Sequence, residues 1–200
     1  MRYFFLLIIS FLVGSIPFGY VVCRVFKKID IRKIGSGNIG ATNVYRAAGG
    51  FFASIVLLLD ILKGFFPVYL ARNVFNFNSL LSITIGLSAI LGHIFSIFMK
   101  GKGGKGVATS FGVIIGLFPL AAFSSFIIWL ISVISTHIVS VSSIAGSIFL
   151  PLFIYLFYKD ITLTVFGMVI SLFILYTHRE NIKRLLKKRE NRIKLPWEKK

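Results

Sequence analysis

Apolar runs of about twenty residues recur along this 200-residue chain, and they constrain its fold more than any other feature. At ~1.5 Å of rise per residue, about 20 helical residues cross the hydrocarbon core of a bilayer. Runs of that kind cover residues 3–26, 51–71, 80–99, 138–157 and 161–177. Charged residues make up 14% of the chain, against roughly 25% in soluble domains. The mean hydropathy of +0.88 agrees. The chain therefore reads as an all-α polytopic integral membrane protein. It is expected to form a single membrane-embedded domain over residues 1–200, with a basic cytoplasmic tail over 179–200.

Residues 107–134 decide how often it crosses. Twenty-eight helical residues would reach ~42 Å, long for one span and short for two. Pro119, just after Gly116, is a natural break. Divided there, the chain has seven transmembrane helices, and residues 27–50, 100–106 and 178–200 share one face. That arrangement puts 19 of the 23 Lys and Arg on one side: six between Arg24 and Arg46, three between Lys100 and Lys105, and ten from Arg179 onward. The positive-inside rule then sets the N-terminus outside and the C-terminus in the cytoplasm. The first run stays apolar to Phe26 with no small-residue cleavage pattern, so it reads as a retained helix and not a signal peptide. A net charge of +17 on such a chain points to anionic lipid and phosphorylated substrates. No nucleic-acid module is visible, so no nucleic-acid partner is expected.

Three polar clusters interrupt the apolar runs, and the topology puts all three on the cytoplasmic face. They are GSGNIGATNVYR at 35–46, GHIFSIFMKGKGGKGVATS at 92–110, and THREN at 177–181. The first two each contain G-x-G-x-x-G. A dinucleotide site needs a strand before the motif, and none is expected here. The P-loop pattern is absent as well. The underlying physics survives: glycine-rich turns leading into a helix offer N–H donors to an anion.

Ser36, Asn38, Thr42 and Asn43 supply neutral polar groups, and Arg46 is a fork-shaped phosphate binder. The plain alternative is a capped loop whose Asn and Ser satisfy turn backbone. Lys100, Lys102 and Lys105 add charge to the second cluster. His93 lies ahead of it, inside the membrane boundary, where a packing role and a functional one are both open. His137 has no supporting motif. His178 and Asn181 are three residues apart, hence on one helix face. Asp60 and Lys63, also three apart, sit within a span and must pair or face a polar cavity. The lone Cys23 reads as a core or lipid-facing residue. No paired-carboxylate site and no metal-ligand spacing is present, so neither a metal nor a cofactor is expected. The H-x-x-x-x-D pattern of many glycerolipid acyltransferases is missing too. A surplus of cations suits a site that holds two phosphates side by side.

SGNIGATNVYR, GHIFSIFMKGKGGKGVAT and HRENI together resemble, in order and spacing, the three signature motifs of the bacterial acyl-phosphate:glycerol-3-phosphate acyltransferases (the PlsY type). One departure is Ser96, where many members have Pro; little consequence is expected. The resemblance implies transfer of a fatty acyl group from acyl phosphate to the 1-hydroxyl of glycerol 3-phosphate. Lysophosphatidic acid and inorganic phosphate result. It further implies a multi-pass protein of the bacterial inner membrane with its site facing the cytoplasm. A monomer surrounded by membrane lipids is expected. On that reading Lys105, with Gly103, Gly104 and Gly106 as backbone donors and Lys102 and His93 nearby, binds the donor phosphate. Arg46, Ser36, His178 and Asn181 hold the acceptor, and Asn38, Thr42 and Asn43 shape the loop between. Lys105, His178, Ser36, Asn38 and Arg46 are the catalytic candidates. A membrane transporter of phosphate or another organic anion is the alternative, since it would use the same cations.

Overall fold

The computed structural model describes residues 1–193, all helical or loop. The chain divides into two compact units, Met1–Leu117 and a second from Phe118 onward. Four helices are long and apolar enough to cross a membrane, and two bent helix pairs raise that number to six.

In the first unit, α1 (Arg2–Ser15) and α2 (Phe18–Phe26) replace the single helix expected over 3–26. They meet at 44°. Pro17 is the cause: it has no N–H to continue the ladder, and it pushes Ile16 into an extended conformation (φ −60°, ψ 118°). A break at membrane depth strands carbonyls that need new donors. Lys63 Nζ donates to the Ile16 carbonyl at 2.8 Å, and Ser96 Oγ to the Ser15 carbonyl at 2.5 Å. Ser96, whose place in the pattern was expected to matter little, therefore makes a bond that proline could not.

The short helix α3 (Ala41–Ala48) lies in the first polar cluster, ahead of the long α4 (Gly50–Tyr69), which runs on through a π turn at Leu70–Val74. Next come α5 (Ser79–Ile94) and α6 (Val107–Leu117). The principal pairs, α1 with α5 and α4 with α6, are held by glycines that let backbones touch. A Cβ on Gly14 would collide with the Ala89 carbonyl, and one on Gly92 with that of Phe11. Gly64 meets the Thr109 carbonyl and Gly112 that of Ile61 in the same way. In lipid, where burial between helices gains little, such close approach supplies the packing. Arg72 donates to the Leu117 carbonyl at 2.8 Å, capping α6 with a cation at its negative end.

The second unit opens with α7 (Pro119–Thr136), whose first residue is the proline expected to divide 107–134. The division is unequal. Eleven residues of α6 rise ~17 Å, short of the hydrocarbon core, while the eighteen of α7 are long enough alone. α8 (Val139–Tyr158) packs on both α7 and α9 (Ile161–Thr177). Asp160 caps α9 by accepting from Thr162 N at 2.7 Å and Leu163 N at 3.1 Å. α10 (Arg179–Leu186) turns away from α9 by 59° at His178, so the tail bends instead of continuing the last helix in line. Its last residues, 194–200, lie outside the described residues.

Candidate functional site

The first polar cluster is a loop folded around Asn43. That side chain is 2% exposed. Its amide nitrogen donates to the carbonyls of Ile34 and Asn38, both at 2.9 Å, and of Ile31 at 3.3 Å. Its oxygen accepts from Ser36 N at 3.1 Å. Asn43 is thus consumed in building the loop. Asn38 Oδ1 accepts from Gly40 N at 2.8 Å, an Asx turn that launches α3. Gly35 and Gly37 are left-handed (φ 59° and 69°), and a Cβ on Gly35 would strike Asn43 Oδ1. What the loop presents outward is Ser36 and, from the last turn of α3, Arg46, both exposed; Thr42 is half-buried. Ahead of the loop, Asp30 clasps the Arg32 guanidinium at 2.6 and 2.8 Å, and that hydrogen bond lowers the Asp30 carboxyl to about 2.

The second cluster is supported differently. After α5 the chain makes a 3-10 turn (Ile97–Met99), passes left-handed Lys100 and Gly101, and doubles back. Gly103 N donates to the Ile94 carbonyl at 3.0 Å and Gly104 N to the His93 carbonyl at 3.1 Å. These N–H groups were expected to cradle a phosphate. They are instead spent on carbonyls that the end of α5 leaves unsatisfied. Gly103 and Gly104 serve by having no side chain: a Cβ on Gly103 would hit the His93 carbonyl, and one on Gly104 the His93 Nε2. Lys105 is half-buried, Lys102 exposed, and Gly106 (φ 82°) turns the chain into α6. The first-turn N–H groups of α6, which begins just after Lys105, have no intrahelical acceptor.

The two loops rest on one apolar core. Met99, from the second, belongs to the same buried cluster as Ile39 and Val44 from the first, Ile31 just ahead of it, and Cys23, Ala53 and Val56 beneath. His93 is 5% exposed, with its Nδ1 3.8 Å from Asp60 Oδ1. It lies under the loop, with its Nε2 where a Cβ on Gly104 would stand. Asp60 and Lys63, left open between pairing and lining a cavity, form a buried ion pair at 2.8 Å.

In the second unit, His178 and Asn181 are 2% and 5% exposed. His178 Nδ1 lies 2.8 Å from the Ile174 carbonyl at the bend. Asn181 Nδ2 donates to Glu190 Oε1 at 2.6 Å. The same carboxylate takes Ser140 Oγ at 3.1 Å and Arg184 Nε at 2.7 Å. Burial raises the Glu190 pKa, but the bonds from Arg184, Asn181 and Ser140 outweigh it, leaving the carboxyl below the usual glutamate range. Reading the tail as a basic anchor overlooked Glu190. The available signal was REN at 179–181 repeating at 189–191. Among the described residues, no group of three or more His, Cys, Asp or Glu side chains could hold a metal ion.

A helical scaffold with several apolar spans, carrying cationic, glycine-braced loops, defines an integral membrane protein. Comparison with known proteins narrows that class. The family model "Glycerol-3-phosphate acyltransferase" matches residues 4–188. The protein of that name from Aquifex aeolicus is 42% identical over 192 residues, 96% of this chain and 100% of that protein. The one from Fusobacterium nucleatum is 41% identical, covering 97% of this chain and all of its own. Among solved structures, PlsY (YgiH), described as an integral membrane glycerol 3-phosphate acyltransferase, was crystallised in a glycerol 3-phosphate form. It superposes with a TM-score of 0.92 at 41% identity, covering 97% of this chain and 96% of that one. Its lysophosphatidic acid form gives 0.89 at 40% identity. The chain belongs to the glycerol-3-phosphate acyltransferase family.

Proposed function

We propose that this protein transfers a fatty acyl group from acyl phosphate to the 1-hydroxyl of glycerol 3-phosphate. The hydroxyl oxygen attacks the acyl carbonyl carbon, the carbon–oxygen bond to phosphate breaks, and lysophosphatidic acid and inorganic phosphate leave. The observation that carries the reading is near-complete overlap, at 41% identity, with an enzyme solved in glycerol 3-phosphate and lysophosphatidic acid forms. Acceptor and product there are those of this reaction.

The residues suit a mixed anhydride, which is already activated and needs no strong nucleophile. Lys105 neutralises the departing phosphate, with Lys102 adding field and Gly106 opening the way to the N-terminus of α6. Arg46 and Ser36 hold glycerol 3-phosphate on the first loop, whose shape Asn38, Thr42 and Asn43 set. The resemblance of the HRENI stretch also implies an acceptor role for His178 and Asn181. The hydroxyl proton passes to a phosphate oxygen of the substrate, with His93 or His178 as the rival base. On this reading the chain crosses a bacterial inner membrane seven times, α6 being the short crossing, as a monomer with its N-terminus outside and these loops in the cytoplasm. The test is to give purified protein labelled glycerol 3-phosphate with acyl phosphate, acyl-CoA or no donor. Labelled lysophosphatidic acid with acyl phosphate is expected. None with any donor would overturn the assignment.

A further inference from the structure

Three ionisable side chains are buried together in the first unit; the reaction as proposed gives Asp60 and Lys63 no part, and His93 only that of a rival base. Asp60 and Lys63 have 3% and 2% of their side chains exposed. His93 is 5% exposed. Isolated, each would be costly at membrane depth; charges retained there mark a functional requirement. Their geometry runs in one direction. Lys63 is pinned by Asp60 Oδ1 at 2.8 Å, by the Ile16 carbonyl at 2.8 Å and by the face of Phe18, 5.4 Å from its ring centre. Asp60 in turn faces His93 Nδ1 at 3.8 Å, and that nitrogen has no hydrogen-bond partner among the described residues. The far edge of the same imidazole, Nε2, lies against the backbone of Gly104, closely enough that a Cβ would collide with it. Lys105 is the next residue.

We propose that Asp60, Lys63 and His93 form a positioning assembly for the glycine loop. The ion pair on α4 sets the His93 ring, and the ring is the floor on which Gly104 rests, which fixes where Lys105 stands. Lys63 also ties that floor to the break between α1 and α2. All three are positioning residues, acting through Gly104 and Lys105. The inference rests on the acyl-transfer reading for its kinetic assay alone.

The experiment is a double-mutant cycle on the full chain. His93→Ala and Gly104→Ala are each expected to lower kcat/KM on the order of 100-fold, the effect of displacing a catalytic group by about 1 Å. In the His93→Ala background, where the ring is gone, adding Gly104→Ala costs less than about threefold; contacting residues couple, and independent ones add. His93→Gln, which places an amide where Nε2 stood, recovers most of the rate, and His93→Asn does not. Equal cost of Gly104→Ala in both backgrounds would overturn the proposal, as would equal loss in the Gln and Asn variants, which would make His93 a proton carrier. Asp60→Asn/Lys63→Gln removes both charges and keeps the volume, so it folds where the single variants leave one charge stranded. Stable protein with lowered kcat/KM is expected; wild-type kcat/KM would remove the ion pair from the assembly. Should the wild type acylate nothing, the functional reading fails by itself. The cycle is then read by maleimide labelling of Lys102→Cys in a Cys23→Ala background, with His93→Ala expected to change the rate only while Gly104 is present.

Discussion

The two glycine-rich loops of the first unit share a motif and stand on the same apolar core, yet they are built in opposite ways. The loop at 35–46 is locked from within. One buried amide, Asn43, satisfies three carbonyls and an N–H of its own loop. The loop at 100–106 is supported from outside itself. It is hung on the last carbonyls of α5 and floored by His93, and through it by Asp60 and Lys63 deep in the span. Repeated glycines therefore do not imply repeated function. In the first loop they allow left-handed turns around an asparagine. In the second, Gly103 and Gly104 allow close approach to a helix end, and the N–H groups that resemble a phosphate cradle are already occupied.

The contrast predicts different failures. Arg46→Ala removes an exposed cation from the end of α3 and should cost about 100- to 1,000-fold in turnover, the loss seen when one group stabilising a developing charge is deleted, with no change in thermal stability. Asn43→Ala should act through the fold: the stranded loop groups cost about 3 kcal/mol, so melting temperature and activity fall together. Loss of activity with an unchanged melting temperature would make Asn43 a substrate ligand instead. Ser96→Ala frees the Ser15 carbonyl and should cost about 1 kcal/mol with KM unaltered. The smallest effect belongs to Glu190. A depressed folded pKa means its clasp on Asn181, Arg184 and Ser140 is fully present above the unfolded glutamate value of about 4.3 and is lost as pH falls through the lower folded value. Thermal unfolding of Glu190→Gln should lack that acid-side loss.

The spans were legible because lipid imposes a length and a polarity on every helix. Pro119 was legible as a break because proline favours the first position of a helix. The first span was not. Pro17 lies inside an unbroken apolar run, and hydropathy cannot register that the backbone bends where Lys63 and Ser96 wait to satisfy it. α3 was hidden by its polar residues. For the candidate site, residue types suggested Arg46, Lys105, His178 and Asn181, but no residue type gives the direction of an N–H, which depends on how a loop closes. Nor does sequence place His93 beside Asp60, thirty-three positions earlier, or bring Glu190 back onto Asn181.

The most direct measurement pairs Lys105→Ala with Asn43→Ala, following lysophosphatidic acid formed from acyl phosphate and glycerol 3-phosphate alongside thermal unfolding. The account predicts that Lys105→Ala loses about 100-fold or more in kcat while unfolding at the wild-type temperature, and that Asn43→Ala loses both. Lys105→Ala turning over within a few-fold of wild type would contradict it.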